Sequence, residues 1–316
     1  MAERGRALIT GGSGLIGSAL TEELAGAGYE VVVLSRSPGE VSGLPAGARA
    51  VGWDAASADG WWEEADGARA IVNLAGENLA TWPWTEATKR RIVESRLAST
   101  RAVVEALERI RAAGGALPEV LLQGSGIDYY GPSGDEEVSE GDPPGAGFLA
   151  RVTVEWEEAS APAEALGVRR VLLRTAMVLA AGGGALPKLA LPFKLFAGGP
   201  VGGGRQWVPW IHLRDEVGAI RLLLERREAA GPFNLTAPEP VRNRELARAL
   251  GRALGRPSFV PAPGLAVRAV LGEMADTVLH GRRALPRRLR ELGFEWEFPE
   301  LGRALEDLLA KGSSLS

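Results

Sequence analysis

Short apolar runs alternate with longer amphipathic segments through the first half of the chain. Each short run consists mostly of Ala, Val, Ile and Leu, which is typical of a buried strand, and helical spacing of apolar positions marks the segments between them. The predicted strands cover residues 7–9, 29–34, 48–53, 70–74, 120–123 and 168–173, and the predicted helices cover residues 18–27, 61–65, 86–113 and 152–166. This alternation predicts an α/β doubly wound Rossmann fold, in which helices cover both faces of a parallel sheet.

The pattern changes after Arg174, where glycine and proline interrupt the apolar positions and indicate turns around a cleft. Farther on, helical spacing returns at 214–227 and 243–254, a short strand is predicted at 232–235, and 261–309 is mostly helical. We therefore predict a Rossmann domain over residues 1–180, with a segment at about 205–237 returning to it. Residues 181–316 would form the cleft segments and a smaller, mostly helical C-terminal substrate lobe, with its own domain at about 255–309.

The turn after the first predicted strand reads Thr-Gly-Gly-Ser-Gly-Leu-Ile-Gly, at residues 10–17. Gly11 permits a tight turn, Gly14 lets the backbone approach a pyrophosphate, and Gly17 lets the following helix pack closely on the sheet. The phosphates would lie at the N-terminus of that helix. Such a glycine triplet alone is weak evidence, but its position between a strand and a helix predicts a dinucleotide site.

The end of the second predicted strand indicates which dinucleotide is bound. A chain that binds NAD usually carries Asp or Glu there for the ribose 2′-hydroxyl, whereas Arg accommodates a 2′-phosphate. This chain has Ser35 and Arg36 at that place and no acid. The residues therefore favour NADP(H), with an ordinary solvent-exposed loop arginine as the alternative.

Composition narrows the class of protein further. The net charge of −4 and the pI near 5.5 argue against a nucleic-acid partner. The absence of cysteine excludes thiolate chemistry, and with only two histidines we predict no metal site. No apolar run is long enough to span a bilayer, so we expect no membrane partner. The chain enters its first strand without room for a signal peptide, which favours a cytoplasmic location.

Several motifs resemble the extended short-chain dehydrogenase/reductase family. They are the glycine turn, Asn-Leu-Ala-Gly-Glu-Asn at 73–78, Tyr-Tyr-Gly at 129–131 and Trp-Ile-His-Leu-Arg-Asp at 210–215. Gly-Gly-Gly-Ala-Leu-Pro-Lys at 182–188 and Arg-Gln-Trp at 205–207 resemble the sugar-epimerase-like "epimerase family protein" group, which carries its own C-terminal domain. The resemblance covers almost the whole chain and implies NADP(H) binding with no settled substrate.

The resemblance also implies individual cofactor contacts. It places Gly11, Ser13, Gly14, Leu15 and Ile16 at the pyrophosphate, Ser35 and Arg36 at the 2′-phosphate, and Leu74, Ala75 and Glu77 near the adenosine and the nicotinamide ribose, where Gly76 also keeps the backbone accessible. Arg91 and Arg96 would reach the phosphates, with a solvated helix face as the alternative. Asp54 would accept from adenine or cap the following segment, and Val178 would contact the nicotinamide or pack in the core.

The usual catalyst of this family is missing. Active members use Tyr-x-x-x-Lys, where the lysine lowers the pKa of the tyrosine. The residues four positions before the lysines here are Thr85, Gly184, Ala190 and Asp307. The catalytic candidates are therefore the hydroxyl groups of Ser125, Tyr129 and Tyr130, with strand-end hydrogen bonding and packing as the alternative roles.

Two functions follow from these observations. The first is an NADP(H)-dependent oxidoreductase or epimerase-like enzyme that acts on an unknown small molecule. The second is a noncatalytic NADP(H)-dependent sensor or regulatory binding protein, which the missing Tyr-Lys pair motivates. A cleft-forming lobe has little use in a pure sensor, which favours the enzyme. A homodimer is left open, because charged residues cover part of the helices through which such proteins often pair.

Overall fold

The computed structural model describes residues 4–79 and 81–311. The strands are β1 (Arg6–Thr10), β2 (Glu30–Ser35), β3 (Ala48–Gly52), β4 (Ala70–Asn73), β5 (Val120–Gly126), β6 (Glu137–Val138), β7 (Arg169–Thr175), β8 (Met177–Ala180), β9 (Gly183–Gly184), β10 (Trp207–Val208), β11 (Trp210–His212), β12 (Gly231–Leu235), β13 (Val241–Arg242) and β14 (Arg283–Ala284). The helices are α1 (Leu15–Gly26), α2 (Trp62–Ala65), α3 (Glu86–Ala112), α4 (Phe148–Ala159), α5 (Pro162–Ala165), α6 (Leu186–Lys194), α7 (Leu213–Glu225), α8 (Asn243–Leu254), α9 (Gly264–Leu271), α10 (Ala275–Leu279), α11 (Arg287–Glu291) and α12 (Leu301–Lys311).

Seven strands form one parallel sheet in the order β12-β7-β5-β4-β1-β2-β3. Neighbouring residues of a strand point to opposite faces, so Ile9 packs with α1 and α7 on one face while Leu8 packs with α2 and α3 on the other. Both side chains are fully buried. The doubly wound α/β Rossmann fold is thus confirmed, and burial on both faces explains why its strands are apolar runs rather than alternating patterns.

A separate core holds the C-terminal helices together. Leu246 and Leu250 of α8 pack against Leu305 and Leu308 of α12, and the fully buried ring of Trp210 joins this cluster. The small sheets β11-β8-β9 and β10-β13 contribute to this core, while β6-β14 packs against Ile127 and Tyr130. The mostly helical lobe therefore has its own hydrophobic centre next to the carboxyl edge of the large sheet.

One predicted helix is wrong in its bounds. The segment predicted as a single helix over 152–166 forms two helices, because α4 begins at Phe148 and ends at Ala159, and α5 begins at Pro162. Proline lacks an amide hydrogen and is tolerated only in the first turn of a helix, so it starts a new one.

None of the helices in residues 4–79 and 81–311 combines the length and the apolar composition that a membrane crossing requires.

Candidate functional site

The turn between β1 and α1 has the geometry of an open phosphate cradle. Gly11 has φ +67°, and a Cβ there would lie 3.0 Å from the backbone of Leu74. Gly17 is even more constrained, because a Cβ would come within 2.3 Å of the Gly11 carbonyl oxygen. The first helical hydrogen bond of α1 runs from the Ser18 amide to the Gly14 carbonyl, 2.9 Å. The amides of Leu15, Ile16 and Gly17 therefore point forward without a helical acceptor.

Thr10 fixes this turn to the end of β4, a role that the sequence analysis missed. Its hydroxyl donates to Asn73 Oδ1 at 2.6 Å and accepts from the amides of Leu74 at 3.0 Å and Ala75 at 3.1 Å. Asn73 in turn donates to Thr100 and Gln123, 3.0 Å each. Since Thr10, Asn73, Thr100 and Gln123 are all fully buried, they hold the two adjacent loops in one arrangement. A polar residue at the end of an apolar strand was the available signal.

Ser35 and Arg36 lie at the carboxyl end of β2, next to the glycine turn. Ser35 Oγ accepts from the Ser37 amide at 3.2 Å, and Arg36 is exposed. Among the described residues, Arg36 has no carboxylate partner. Asp54 follows β3 and uses Oδ1 to accept from the amides of Ala56 and Ser57, 2.8 Å each. These hydrogen bonds lower the pKa of Asp54 and hold a turn at residues 54–57, although no helix begins there, because α2 starts at Trp62.

Arg96 of α3 fixes the segment that follows β4. Arg96 is 8% exposed and donates to the carbonyls of Glu77 and Ile92, at 3.0 and 3.1 Å. Its guanidinium lies 5.0 Å from the ring of Trp156, and burial lowers the pKa of Arg96 to about 10. The side chain is thus occupied in positioning Glu77 and Gly76. Arg91 is 54% exposed and 3.9 Å from Glu77, so of the two arginines it is the one free to move toward a phosphate.

Ser125, near the end of β5, is hydrogen-bonded to a buried ion pair. Its hydroxyl donates to Glu157 Oε1 of α4 at 2.6 Å, and Arg174 of β7 donates to both oxygens of Glu157, at 2.8 and 2.9 Å. Ser125, Glu157 and Arg174 are 8%, 7% and 3% exposed. Burial alone would lower the pKa of Arg174, but the hydrogen bonds and charge of Glu157 raise it above its ordinary value. The pair therefore stays charged and fixes the direction of the Ser125 hydroxyl hydrogen.

The two tyrosines that follow Ser125 differ in their surroundings. Tyr130 is 3% exposed, donates to Asn234 Oδ1 at 2.8 Å and accepts from Arg174 at 2.9 Å. Burial raises the pKa of Tyr130 to about 12, which disfavours proton exchange near neutral pH. Tyr129 is half-buried, with the Arg174 guanidinium 3.4 Å from its ring centre. The structure thus gives Tyr130 a structural role and leaves Tyr129 nearer the surface.

Two further predicted cofactor contacts, Val178 and Leu15, lie at the strand pair β8 and β9. Val178 of β8 pairs with Ile211 and packs against the main core. Leu15 approaches the hairpin formed by β8 and β9, since a Cβ on Gly184 would lie 2.9 Å from its side chain. His212 caps α7 through Nδ1, which accepts from the Arg214 amide at 3.0 Å, and its ring stacks on Phe298 at 3.9 Å. His212 is therefore structural.

Comparison with known proteins places most of the chain in one family. Residues 7–236 match the family described as "NAD dependent epimerase/dehydratase family". The chain belongs to this family. Residues 262–308 also match a domain of unknown function, DUF1731, which covers α9 to most of α12.

Individual relatives extend over nearly the full length. The epimerase family protein SDR39U1 of Mus musculus is 38% identical over 96% of this chain and 100% of its own. An epimerase family protein of Mycobacterium tuberculosis is 39% identical over 94% of this chain and 95% of its own. The crystal structure of human SDR39U1 (isoform 2) with NADPH superposes with a TM-score of 0.83 and 34% identity, over 98% of this chain and 100% of that one.

Proposed function

We propose that the chain is an NADP(H)-dependent oxidoreductase or epimerase-like enzyme acting on a small molecule, with a cytoplasmic location. The observation that supports a bound cofactor is the turn itself, where the amides of Leu15, Ile16 and Gly17 have no helical acceptor and a Cβ on Gly11 or Gly17 would collide with neighbouring backbone. Arg36 supports a 2′-phosphate, because an acid at this place would repel it. The NADPH complex of the similar human protein supports the same choice.

Ser125 is the residue that we propose to meet the reacting group of the substrate. When bound, the nicotinamide supplies hydride donation or acceptance. Because Ser125 gives its one hydroxyl hydrogen to Glu157, only its lone pairs are available to a ligand. Ser125 would therefore accept from a substrate hydroxyl rather than donate to a carbonyl. This orientation favours an alcohol as the group bound next to the cofactor.

Calorimetry with NADPH and NADH tests the cofactor assignment. We expect NADPH to bind at least about tenfold more tightly than NADH, and Arg36→Asp to abolish most of that difference, since one good phosphate contact contributes about 1.5–3 kcal/mol. Arg227→Asp is the matched control, because that side chain is 82% exposed in the turn that follows α7. Equal affinity of the unaltered protein for both nucleotides would contradict the assignment.

A turnover screen tests the enzyme proposal. Purified protein is mixed with NADP⁺ and secondary alcohols, or with NADPH and carbonyl compounds, including nucleotide sugars, while absorbance of the reduced cofactor is followed. We expect turnover with at least one class of alcohol. The turnover rate of the Ser125→Ala variant should be lower by about a hundredfold or more. Binding of NADPH without turnover in any class would instead favour the noncatalytic sensor.

A further inference from the structure

Five large apolar side chains around the end of α6 and the start of α9 are more than half exposed. Their exposed fractions are 55% for Leu191, 68% for Leu195, 59% for Phe196, 78% for Phe259 and 84% for Leu265. We call these five residues the α6–α9 surface. Scattered apolar side chains are ordinary on a protein surface, but a contiguous group of this kind marks an interaction site.

The backbone brings the two halves of the α6–α9 surface together. The amide of Val260 donates to the carbonyl of Gly198 at 3.1 Å, and that of Ala262 donates to Pro200 at 2.9 Å. The chain leading into α9 therefore runs beside the chain leaving α6. The guanidinium of Arg256 also lies 4.5 Å from the ring centre of Phe196. The exposed side chains thus belong to one patch although they are far apart in sequence.

The charged side chains of the two segments that form this patch are all basic. The chain has 40 acidic residues and a net charge of −4, yet residues 176–214 and 246–272 contain no Asp or Glu. Lys188 and Lys194, two of the four lysines in the chain, are exposed on α6. Arg256 adds a further cation in the other segment, whereas Arg268 is paired with Asp276 at 2.9 Å. The surface therefore suits a partner that is negatively charged.

The conformation of Phe196 is an independent sign that the exposed ring is used. The residue follows the last turn of α6, where its amide donates to Phe193 at 2.9 Å and the amide of Ala197 donates to Pro192 at 2.8 Å. Its φ is +60°, a left-handed conformation in which glycine is normally found at a helix end. A bulky side chain is strained there, and the ring gains little burial in return.

We propose that the α6–α9 surface binds the face of a lipid bilayer that contains anionic lipids. A bilayer offers an apolar layer for the exposed rings and aliphatic side chains beneath a negatively charged layer for the lysines and arginines. The expectation of no membrane partner rested on the lack of a spanning segment. A short helix that lies at the interface does not need that length.

Vesicle co-sedimentation of the full chain tests the proposal, using phosphatidylcholine vesicles with and without phosphatidylserine at low salt. We expect binding at least about tenfold stronger to the anionic vesicles, because each cation near the surface contributes on the order of fivefold. The double variant Lys188→Glu/Lys194→Glu should lower binding about tenfold or more. The matched double variant Arg226→Glu/Arg227→Glu, at the end of α7, should not.

Phe196→Gly separates membrane binding from a structural role. Glycine relieves the left-handed strain, so we expect a higher Tm together with several-fold weaker vesicle binding. Unchanged vesicle binding by this variant, equal binding to both vesicle types, or full binding by the lysine variant would each overturn the proposal. So would a dimer in light scattering that Phe196→Glu dissociates, because the occupant would then be a second copy. The assay needs neither cofactor nor turnover, so its failure leaves the proposed function untouched.

Discussion

Gly17 is the residue on which the close approach of α1 to the β1 turn depends. Its missing Cβ would collide with the Gly11 carbonyl at 2.3 Å and with Gly12 Cα at 2.6 Å, both backbone atoms that cannot rotate away. This crowding explains the third glycine of the motif in terms of contact rather than dihedral freedom, because its φ is an ordinary helical one. The cradle for the phosphates is therefore a consequence of packing between a strand and a helix.

Gly17→Ala should destabilise the protein and weaken NADPH binding together. We expect the free energy of unfolding in urea to fall by about 1–3 kcal/mol, as for other overpacked sites, and NADPH affinity to fall at least about tenfold. Gly26→Ala on the same helix is the control. No atom of the described residues lies within 4 Å of a Cβ there, so it should raise stability by about 0.5–1 kcal/mol. Equal effects of the two variants would contradict the packing argument.

Glu216 makes stability depend on pH. It is fully buried, Oε1 accepts from the Thr175 hydroxyl at 2.8 Å, and burial raises the pKa of Glu216 to about 8 from 4.5. Between these values the folded state holds a proton that the unfolded chain has released, so rising pH destabilises the fold through this group. Its contribution is constant below pH 4.5 and falls by about 1.4 kcal/mol per unit up to about pH 8.

Glu216→Gln should remove that dependence, because the amide keeps the acceptor for Thr175 and does not ionise. The difference in unfolding free energy between the variant and the unaltered protein should therefore move in favour of the variant as pH rises from about 5 to about 8. Urea unfolding at both pH values measures it. A difference that is independent of pH would show that Glu216 is ionised in the folded state.

The ends of β1 and β4 act as one unit because Thr10 joins them. Its hydroxyl satisfies Asn73 and two backbone amides at once, and all of these groups lie beneath the glycine turn. Motif spacing predicted both loops from the sequence, but not this junction. Side-chain hydrogen bonds between strands depend on which strands are neighbours, and that is fixed by sheet order rather than by local sequence.

Thr10→Val tests the junction with little change in volume. It leaves the Asn73 side-chain carbonyl and the amide of Ala75 without their partner, while the amide of Leu74 keeps the Thr10 carbonyl at 3.3 Å. We therefore expect a loss of about 2–4 kcal/mol in unfolding free energy and weaker NADPH binding. Thr10→Ser keeps the hydroxyl and should cost less than about 1.5 kcal/mol. Similar losses in both variants would mean that the methyl group, and not the hydrogen bonds, matters.

At the scale of the whole molecule, Asp215 connects the Rossmann sheet to the C-terminal lobe. It lies in the first turn of α7, is 3% exposed, and accepts from the amides of Glu297 at 2.7 Å and Phe298 at 3.0 Å. Burial raises the pKa of Asp215, while the two amides oppose the rise. The carboxylate thus fixes the segment that leads into α12 to the helix below the sheet.

Asp215→Ala should loosen the lobe before the sheet. We expect a loss of about 2–4 kcal/mol in stability and faster amide hydrogen exchange at 295–311, with little change in β1 and β4. Glu297→Ala is the control, since it keeps the backbone amide that Asp215 accepts and removes only an exposed ion pair with Arg214. It should change stability by less than about 1 kcal/mol. Uniformly faster exchange over the whole chain would contradict a local clamp.

The sequence by itself determined the parallel sheet and the glycine turn. It also determined that Arg36, rather than an acid, follows β2 and that the Tyr-Lys pair is missing. These are local properties, because periodicity and turn chemistry act between residues that are close in the chain. Only the tertiary structure decided that Arg96 is buried, that Ser125 donates to Glu157, and that Tyr130 is bound to Asn234. Those partners are 32 and 104 residues apart, and their contact depends on how helices and strands pack.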